Sequence, residues 1–138
     1  MRVVVVGGGI VGLSSAFALA DRGADVVLCE RKSLGEGSTA RALGGIRCQF
    51  STAVNVDLSL ASRSTWESFE ARFGVDIAFR QTGYLMLART EETARGLERQ
   101  VDLQHERGAE TELLTPEQVP EYCAGIDPDV VTAATYNP

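Results

Sequence analysis

Hydrophobic positions along this chain follow two different periods, and the places where the period changes mark the elements. Val3, Val4, Val5 and Val6 form a short apolar run that stops at Gly7, Gly8 and Gly9. A β-branched run of that length bounded by turn residues predicts a strand. Ile10, Leu13, Phe17 and Ala20 then recur at helical spacing, which predicts one apolar face of a helix stopped by Gly23. A second apolar run, Val26–Cys29, predicts another strand with Cys29 buried in it. Val54, Leu58, Ala61, Phe69 and Phe73 mark one face of a helix running from near Ser51 to Gly74, with Thr65 and Trp66 on or beside that face and Trp66 in the core.

Beyond Gly74 the pattern shortens. Ile77–Arg80 and Tyr84–Ala88 read as a hairpin turning across Gln81, Thr82 and Gly83. Thr90 caps a polar helix from Glu91 to Arg107, stopped by Gly108, whose charges form a solvated face; Glu91 and Arg95 are spaced for one weak pair. Thr115-Pro116-Glu117-Gln118 is a capping box with proline at the first helical position, so a short helix starts there and Pro120 limits it. Val130–Tyr136 reads as one more strand. No internal repeat or disordered linker interrupts the chain. The shift from strand–helix–strand to hairpin plus helix near Gly74 predicts a first domain over residues 1–74 and the beginning of a second, antiparallel-sheet domain over 75–138.

Composition narrows the class. With 138 residues, 44% of them hydrophobic, and a net charge of −6, the chain reads as a soluble globular protein. Its length suits one domain of about 100–150 residues and is short for a nucleotide domain plus a substrate domain. The acidic balance argues against nucleic acid or an anionic membrane as partner. Arg2 and the apolar run after it do not read as a secretory signal, because the run continues directly into the glycines. No segment approaches the roughly 20 apolar residues that span a bilayer. Cys29, Cys48 and Cys123 lack paired spacing and read as free thiols, which predicts a reducing, cytoplasmic location. His105 lies between Gln104 and Glu106 and reads as a solvated residue rather than a metal ligand or base, and no metal site is expected.

The chemistry concentrates in the first thirty residues. Gly7-Gly8-Gly9-Ile10-Val11-Gly12 follows a strand and opens a helix, and Glu30 ends the next strand 23 positions after Gly7. This is the arrangement of a dinucleotide-binding βαβ unit, in which an acid about 20 residues on meets ribose hydroxyls. Gly7 allows the tight turn, Gly9 lets the backbone approach a pyrophosphate, and Gly12 lets helix and sheet pack closely. The pyrophosphate then lies at the helix N-terminus, where unpaired N–H groups and the helix dipole favour negative charge. A polar, glycine-rich loop follows Glu30, and in it Ser38 and Thr39 are placed to cap a short helix or hold a phosphate. A carboxylate at Glu30 would repel a 2′-phosphate, which disfavours NADP.

Gly7 to Glu30, the pair Glu30-Arg31, the segment GSTARALGGIRCQF (residues 37–50) and the segment VDIAFRQTGYLMLA (residues 75–88) together resemble the N-terminal part of the FAD-dependent D-amino acid oxidase family. The likeness is greatest to the branch of sarcosine oxidase β subunits and glycine oxidases, and it covers essentially the whole chain. The resemblance implies an α/β fold: a Rossmann-like FAD-binding βαβ unit, then the start of an antiparallel-sheet α+β substrate domain, both incomplete. It implies FAD as cofactor, with Gly7, Gly9 and Gly12 at the pyrophosphate, Ile10, Val11, Gly44 and Gly45 also among the cofactor-binding residues, Glu30 at the adenosine ribose, Arg31 on the adenine side, Ser38 and Thr39 at the phosphates, and Arg47 near the flavin ring. Arg47 is the candidate catalytic residue, a cation beside the flavin ring; the alternative is an arginine paired with a carboxylate or phosphate.

The same resemblance implies oxidation of a small amine or amino acid by hydride transfer to flavin. The chain alone would be inactive, and a complementing C-terminal half or other subunits would be partners. Two alternatives stand beside this reading: a flavin-dependent dehydrogenase of 2-hydroxy acids or glycerol phosphate, and an inactive nucleotide-binding fragment.

Overall fold

A computed structural model describes residues 1–138. The chain divides into two compact units, Met1–Gly45 and Ile46–Pro138.

In the first unit, strand β1 (Arg2–Val6) pairs in parallel with β2 (Asp25–Cys29), in the register Val3↔Val26 and Val5↔Leu28, and helix α1 (Ile10–Asp21) connects them. Val3, Val5, Val26 and Leu28 alternate inward and are half-buried, whereas Val4, Val6 and Val27 face outward and are exposed. Cys29 lies on this outward face and is exposed, contrary to expectation, because no layer covers that side of the sheet. The face of α1 also differs from its apolar pattern. Gly12, Leu13, Ala16, Ala18 and Leu19 are the half-buried positions, and Ile10, Phe17 and Ala20 are exposed, since a two-stranded sheet covers only a narrow stripe of the helix. Gly23 ends the helix as predicted: its φ is 81° and its N–H donates to Ala20 O at 2.9 Å.

Residues 31–45 contain turns and no helix, so Ser38 and Thr39 do not cap one. Ser38 and Thr39 carbonyls accept only isolated turn bonds from Arg41 and Ala42, at 3.2 and 3.3 Å. The Thr39 hydroxyl is engaged elsewhere.

The second unit is a three-stranded antiparallel sheet of order β3-β5-β4, formed by Tyr84–Ala88, Ala133–Asn137 and Glu112–Leu114. β5 is central, with Leu85↔Tyr136 on one side and Leu114↔Ala134 on the other. Helix α4 (Glu91–Glu106) packs on this sheet, and its Ala94, Leu97, Val101 and Gln104 are buried. Those positions recur every three or four residues, so the helix read as polar carries a core stripe as well as a solvated face. Ala88, Ala94 and Leu97 form one core cluster; Leu114, Val119, Val131 and Ala134 form the other.

Several local expectations are corrected in this unit. Residues 77–80 form no strand, and β3 pairs with β5 instead of with them. Asp76 Oδ1 accepts the Ala78 N–H at 2.6 Å, and Ala78 has a φ of 52°, so the backbone bends where an extended strand was expected. The predicted 51–74 helix is two helices, α2 (Ala53–Glu67) and α3 (Phe69–Phe73), broken at Ser68 and ended by Gly74 with φ 69°. Hydroxyls of Ser59, Ser62 and Ser68 each donate to the carbonyl four residues back, a pattern that competes with regular helix.

The buried residue of α2 is Val56; Val54 and Leu58, expected inside, are each 60% exposed. Trp66 is half-buried and stacks on Phe69 at 6.1 Å between ring centroids rather than sitting in a core. Glu91 and Arg95 form no ion pair; Arg107 reaches Asp57 of α2 at 3.3 Å. The capping box forms, with Thr115 N–H donating to Gln118 Oε1 at 2.9 Å, but Pro120 does not end the helix. Helix α5 (Val119–Tyr122) carries Pro120 in its first turn, where no N–H is needed. A short 3₁₀ turn at Pro128–Val130 occupies the start of the predicted last strand.

Candidate cofactor-binding site

The turn between β1 and α1 is built by its glycines. Gly7 has a φ of 107°, which only glycine adopts readily, and its N–H closes the turn onto Cys29 O at 2.8 Å. A Cβ on Gly12 would run into the carbonyl oxygen of Gly7, so helix and turn approach closely only because position 12 has no side chain. A Cβ on Gly9 would lie 3.1 Å from Thr39 Oγ1. Each of the three glycines singled out by spacing therefore has a steric reason to be glycine.

Helix α1 begins at Ile10, and its first intrahelical bond runs from Leu13 N to Gly9 O at 2.9 Å. The amides of Ile10, Val11 and Gly12 precede it and have no partner within the helix. Thr39 Oγ1 accepts the Ile10 N–H at 3.0 Å. The Val11 and Gly12 amides remain at the positive end of the helix dipole.

Glu30 reaches back over the same turn. Its Oε2 accepts the Gly8 N–H at 2.6 Å, and its Oε1 accepts the Lys32 N–H at 2.9 Å. The Gly8 bond first, and then the Lys32 bond, hold the carboxyl below its ordinary value of 4.5, so Glu30 is an anion at neutral pH. Gly35 N–H donates to Gly8 O at 2.7 Å, fastening the following loop to the turn. Residues 30–39 thus make three direct hydrogen bonds to Gly8 and Ile10, a contribution of the loop that glycine spacing alone did not reveal.

The first unit therefore brings together Gly7, Gly9, Ile10, Val11, Gly12, Glu30 and Thr39. Arg31 and Ser38 are exposed beside them in sequence, and Gly44 and Gly45 are exposed at the unit's end. Arg47 belongs to the second unit, where its guanidinium carbon lies 4.9 Å from the centroid of the Phe50 ring. Cys48 is half-buried, and burial pushes its thiol pKa up, which disfavours a reactive thiolate. His105 is exposed, with Nε2 2.6 Å from the Thr111 carbonyl oxygen.

A helix N-terminus with unpaired amides, a glycine cradle that a Cβ would fill, and an anionic carboxylate at the end of the second strand match the needs of the pyrophosphate and ribose of FAD. Comparison with known proteins agrees. The DAO family, FAD dependent oxidoreductase, matches residues 2–138. FAD-dependent oxidoreductase domain-containing protein 1 of Bos taurus is 38% identical over 97% of this chain and 30% of its own length. The sarcosine oxidase β subunit of Arthrobacter sp is 35% identical over 99% of this chain and 35% of its own. Among solved structures, L-proline dehydrogenase from P. horikoshii superposes with a TM-score of 0.90 at 39% identity, covering 99% of this chain and 36% of that one. Glycine oxidase from Geobacillus kaustophilus superposes with a TM-score of 0.81 at 31% identity, covering 99% of this chain and 39% of that one. The chain thus spans about a third of the length of these four relatives. With the glycine turn, the carboxylate of Glu30 and the family match in agreement over the same residues, this chain belongs to the DAO family of FAD-dependent oxidoreductases.

Proposed function

We propose that this chain is the N-terminal part of an FAD-dependent oxidoreductase that oxidises the C–N bond of a small amine or amino acid, of the sarcosine, glycine or D-amino acid kind. Bound FAD supplies the two-electron acceptor for a hydride from the carbon next to nitrogen. This chain's residues bind and orient it. The Val11 and Gly12 amides hold the pyrophosphate at the start of α1, with Gly7, Gly9 and Ile10 shaping the approach. Glu30, kept ionised, accepts from ribose hydroxyls, and Arg31 lies toward the adenine. Thr39 accepts from Ile10 through its oxygen and so keeps its own O–H proton to give to a phosphate oxygen; Ser38 lies beside it. Gly44 and Gly45 let the backbone approach the cofactor, and Arg47 is the candidate cation for the ring, where negative charge develops on reduction.

The observation that carries the cofactor reading is the cradle in which Gly12 abuts Gly7 O below unpaired helix amides. The amine reading draws support from relatives named for amine substrates: dimethylglycine dehydrogenase of Rattus norvegicus, 33% identical, besides the sarcosine, glycine and proline enzymes. On this reading residues 1–74 begin the FAD domain and residues 75–138 begin the substrate domain. The 138-residue chain alone does not turn over, and its partners are a complementing C-terminal half or further subunits. No helix is long and apolar enough to cross a membrane. Separately, the three free thiols support a reducing, cytoplasmic location for the protein.

The test is anaerobic addition of sarcosine, glycine, L-proline and dimethylglycine to the FAD-loaded full-length protein. At least one should bleach the oxidised flavin band, while glycerol 3-phosphate and 2-hydroxyglutarate should not. Bleaching by the hydroxy compounds alone would contradict the proposal.

A further inference from the structure

Arg47 stands in a stretch, residues 46–52, that has neither helix nor strand, so no backbone ladder holds it. Two glutamines tie the stretch to the second unit. Gln49 is 2% exposed, and its Nε2 donates to Thr135 Oγ1 on the central strand β5 at 3.1 Å. Gln104 of α4 is equally buried; its Nε2 donates to the Phe50 carbonyl at 3.0 Å, and its Oε1 accepts from Thr111 Oγ1 at 2.6 Å. Asn137 Nδ2 in turn donates to that hydroxyl at 3.3 Å. The bonded residues are 86 and 54 positions apart, so these are tertiary ties and not local turns.

The Gln49 tie is costly to stability in a way that marks it. Its Oε1 is buried without any hydrogen-bond partner, the only side-chain atom so placed. An apolar side chain of the same length would leave no orphan acceptor. A polar residue kept in a core against that cost points to a task other than stability. The Arg47 guanidinium rests on Phe50, whose carbonyl and preceding side chain are the two tied groups.

We propose that Gln49 and Gln104 are positioning residues: a two-point clamp that holds residues 47–50 to β5 and α4, and so sets the direction of the Arg47 guanidinium. Its part in turnover rests on the reading of Arg47 as the ring-side cation, but the clamp can be measured without flavin. The probe is ¹⁵N relaxation of the Arg47 side-chain Nε–H in the 138-residue chain, which reports picosecond–nanosecond order. The clamp predicts Arg47 to be more ordered than exposed Arg31. The double variant Gln49→Met with Thr135→Val removes both partners of one tie together, so the fold should keep its melting temperature or gain, while Arg47, held then only through Phe50, becomes measurably more mobile than in the parent chain. Thr135→Ser keeps the hydroxyl and should keep Arg47 ordered. Should the double variant not fold, Thr135→Val against Thr135→Ser makes the same comparison. Unchanged Arg47 order in the variants lacking the Gln49–Thr135 bond overturns the clamp.

In the FAD-loaded full-length protein, the double variant should lower kcat/KM by about tenfold, within the range that misplacement of a group produces, and should add nothing in an Arg47→Ala background. Effects that multiply would overturn the proposal. Turnover and flavin spectrum left unchanged by Arg47→Ala would instead refute the ring-side reading, and with it the clamp's part in turnover, leaving the relaxation result to decide the clamp alone.

Discussion

At the residue scale, position 12 makes the sharpest demand on side-chain identity. The glycine turn and the first helical turn meet at Gly12 and the Gly7 carbonyl, and nothing but hydrogen fits between them. Gly12→Ala should push α1 off β1 at a cost of about 1–3 kcal/mol, the range for overpacking, read as a lower denaturant midpoint. Glu30 makes an electrostatic demand. Its pKa is depressed in the folded chain by the Gly8 and Lys32 amides, so the stability it contributes is fully present above the ordinary value of 4.5. That contribution is lost as pH falls through the lower, folded value. Glu30→Gln should therefore flatten the acid limb of a pH–stability curve below pH 4.5 and leave its slope near neutrality unchanged. The three glycines and Glu30 were legible in the sequence because their spacing encodes one local geometry. The Gly8–Glu30 bond, the Thr39 cap on Ile10 and the exposure of Cys29 were not, since they depend on which loop folds back and on which sheet face is covered.

At the scale of elements, local signals carried where the element is local. Thr90 caps α4 through a 3.2 Å bond from Thr93 N, and Thr90→Ala should cost about 1 kcal/mol by thermal melting, the usual loss of such a cap. Leu114 is 3% exposed in the cluster with Val119 and Ala134, and Leu114→Ala should cost about 2–5 kcal/mol by denaturant unfolding. What the sequence did not disclose is the partner of β3. Ile77–Arg80 is a mostly apolar run that lies one turn away, yet β3 pairs with Ala133–Asn137. Gly83 explains part of this outcome. A Cβ there would run into the Tyr136 ring, so the start of β3 is shaped to lie over β5. Helix α4 forms where its cap and stop predict it, with the expected solvated face; its opposite stripe of Ala94, Leu97, Val101 and Gln104 is buried as well, and Gln104 is the one polar residue in that stripe.

At the scale of the molecule, apolar side chains outnumber the surfaces that cover them. Val4, Val6 and Val27 form an open face of the two-stranded sheet, with Val6 84% exposed. An uncovered face of this kind favours association. The chain at micromolar concentration should therefore sediment above its 14.8 kDa monomer mass, and Val6→Lys should shift it toward the monomer. The same deficit of cover accounts for Ile10, Phe17 and Ala20 of α1 and Val54 and Leu58 of α2 lying outside: periodicity describes a face ready for packing, not the surface that would cover it.

The central claim is that the turn between β1 and α1, with Glu30, holds FAD. Its most direct test is the visible absorption spectrum of the 138-residue chain after incubation with FAD and desalting, beside Gly9→Ala, Gly12→Ala and Glu30→Ala. Flavin absorbance should be retained by the parent chain and lost from all three variants, with circular dichroism showing Gly9→Ala and Glu30→Ala still folded. A folded parent chain that keeps no flavin, or folded variants that keep as much as the parent, would contradict it.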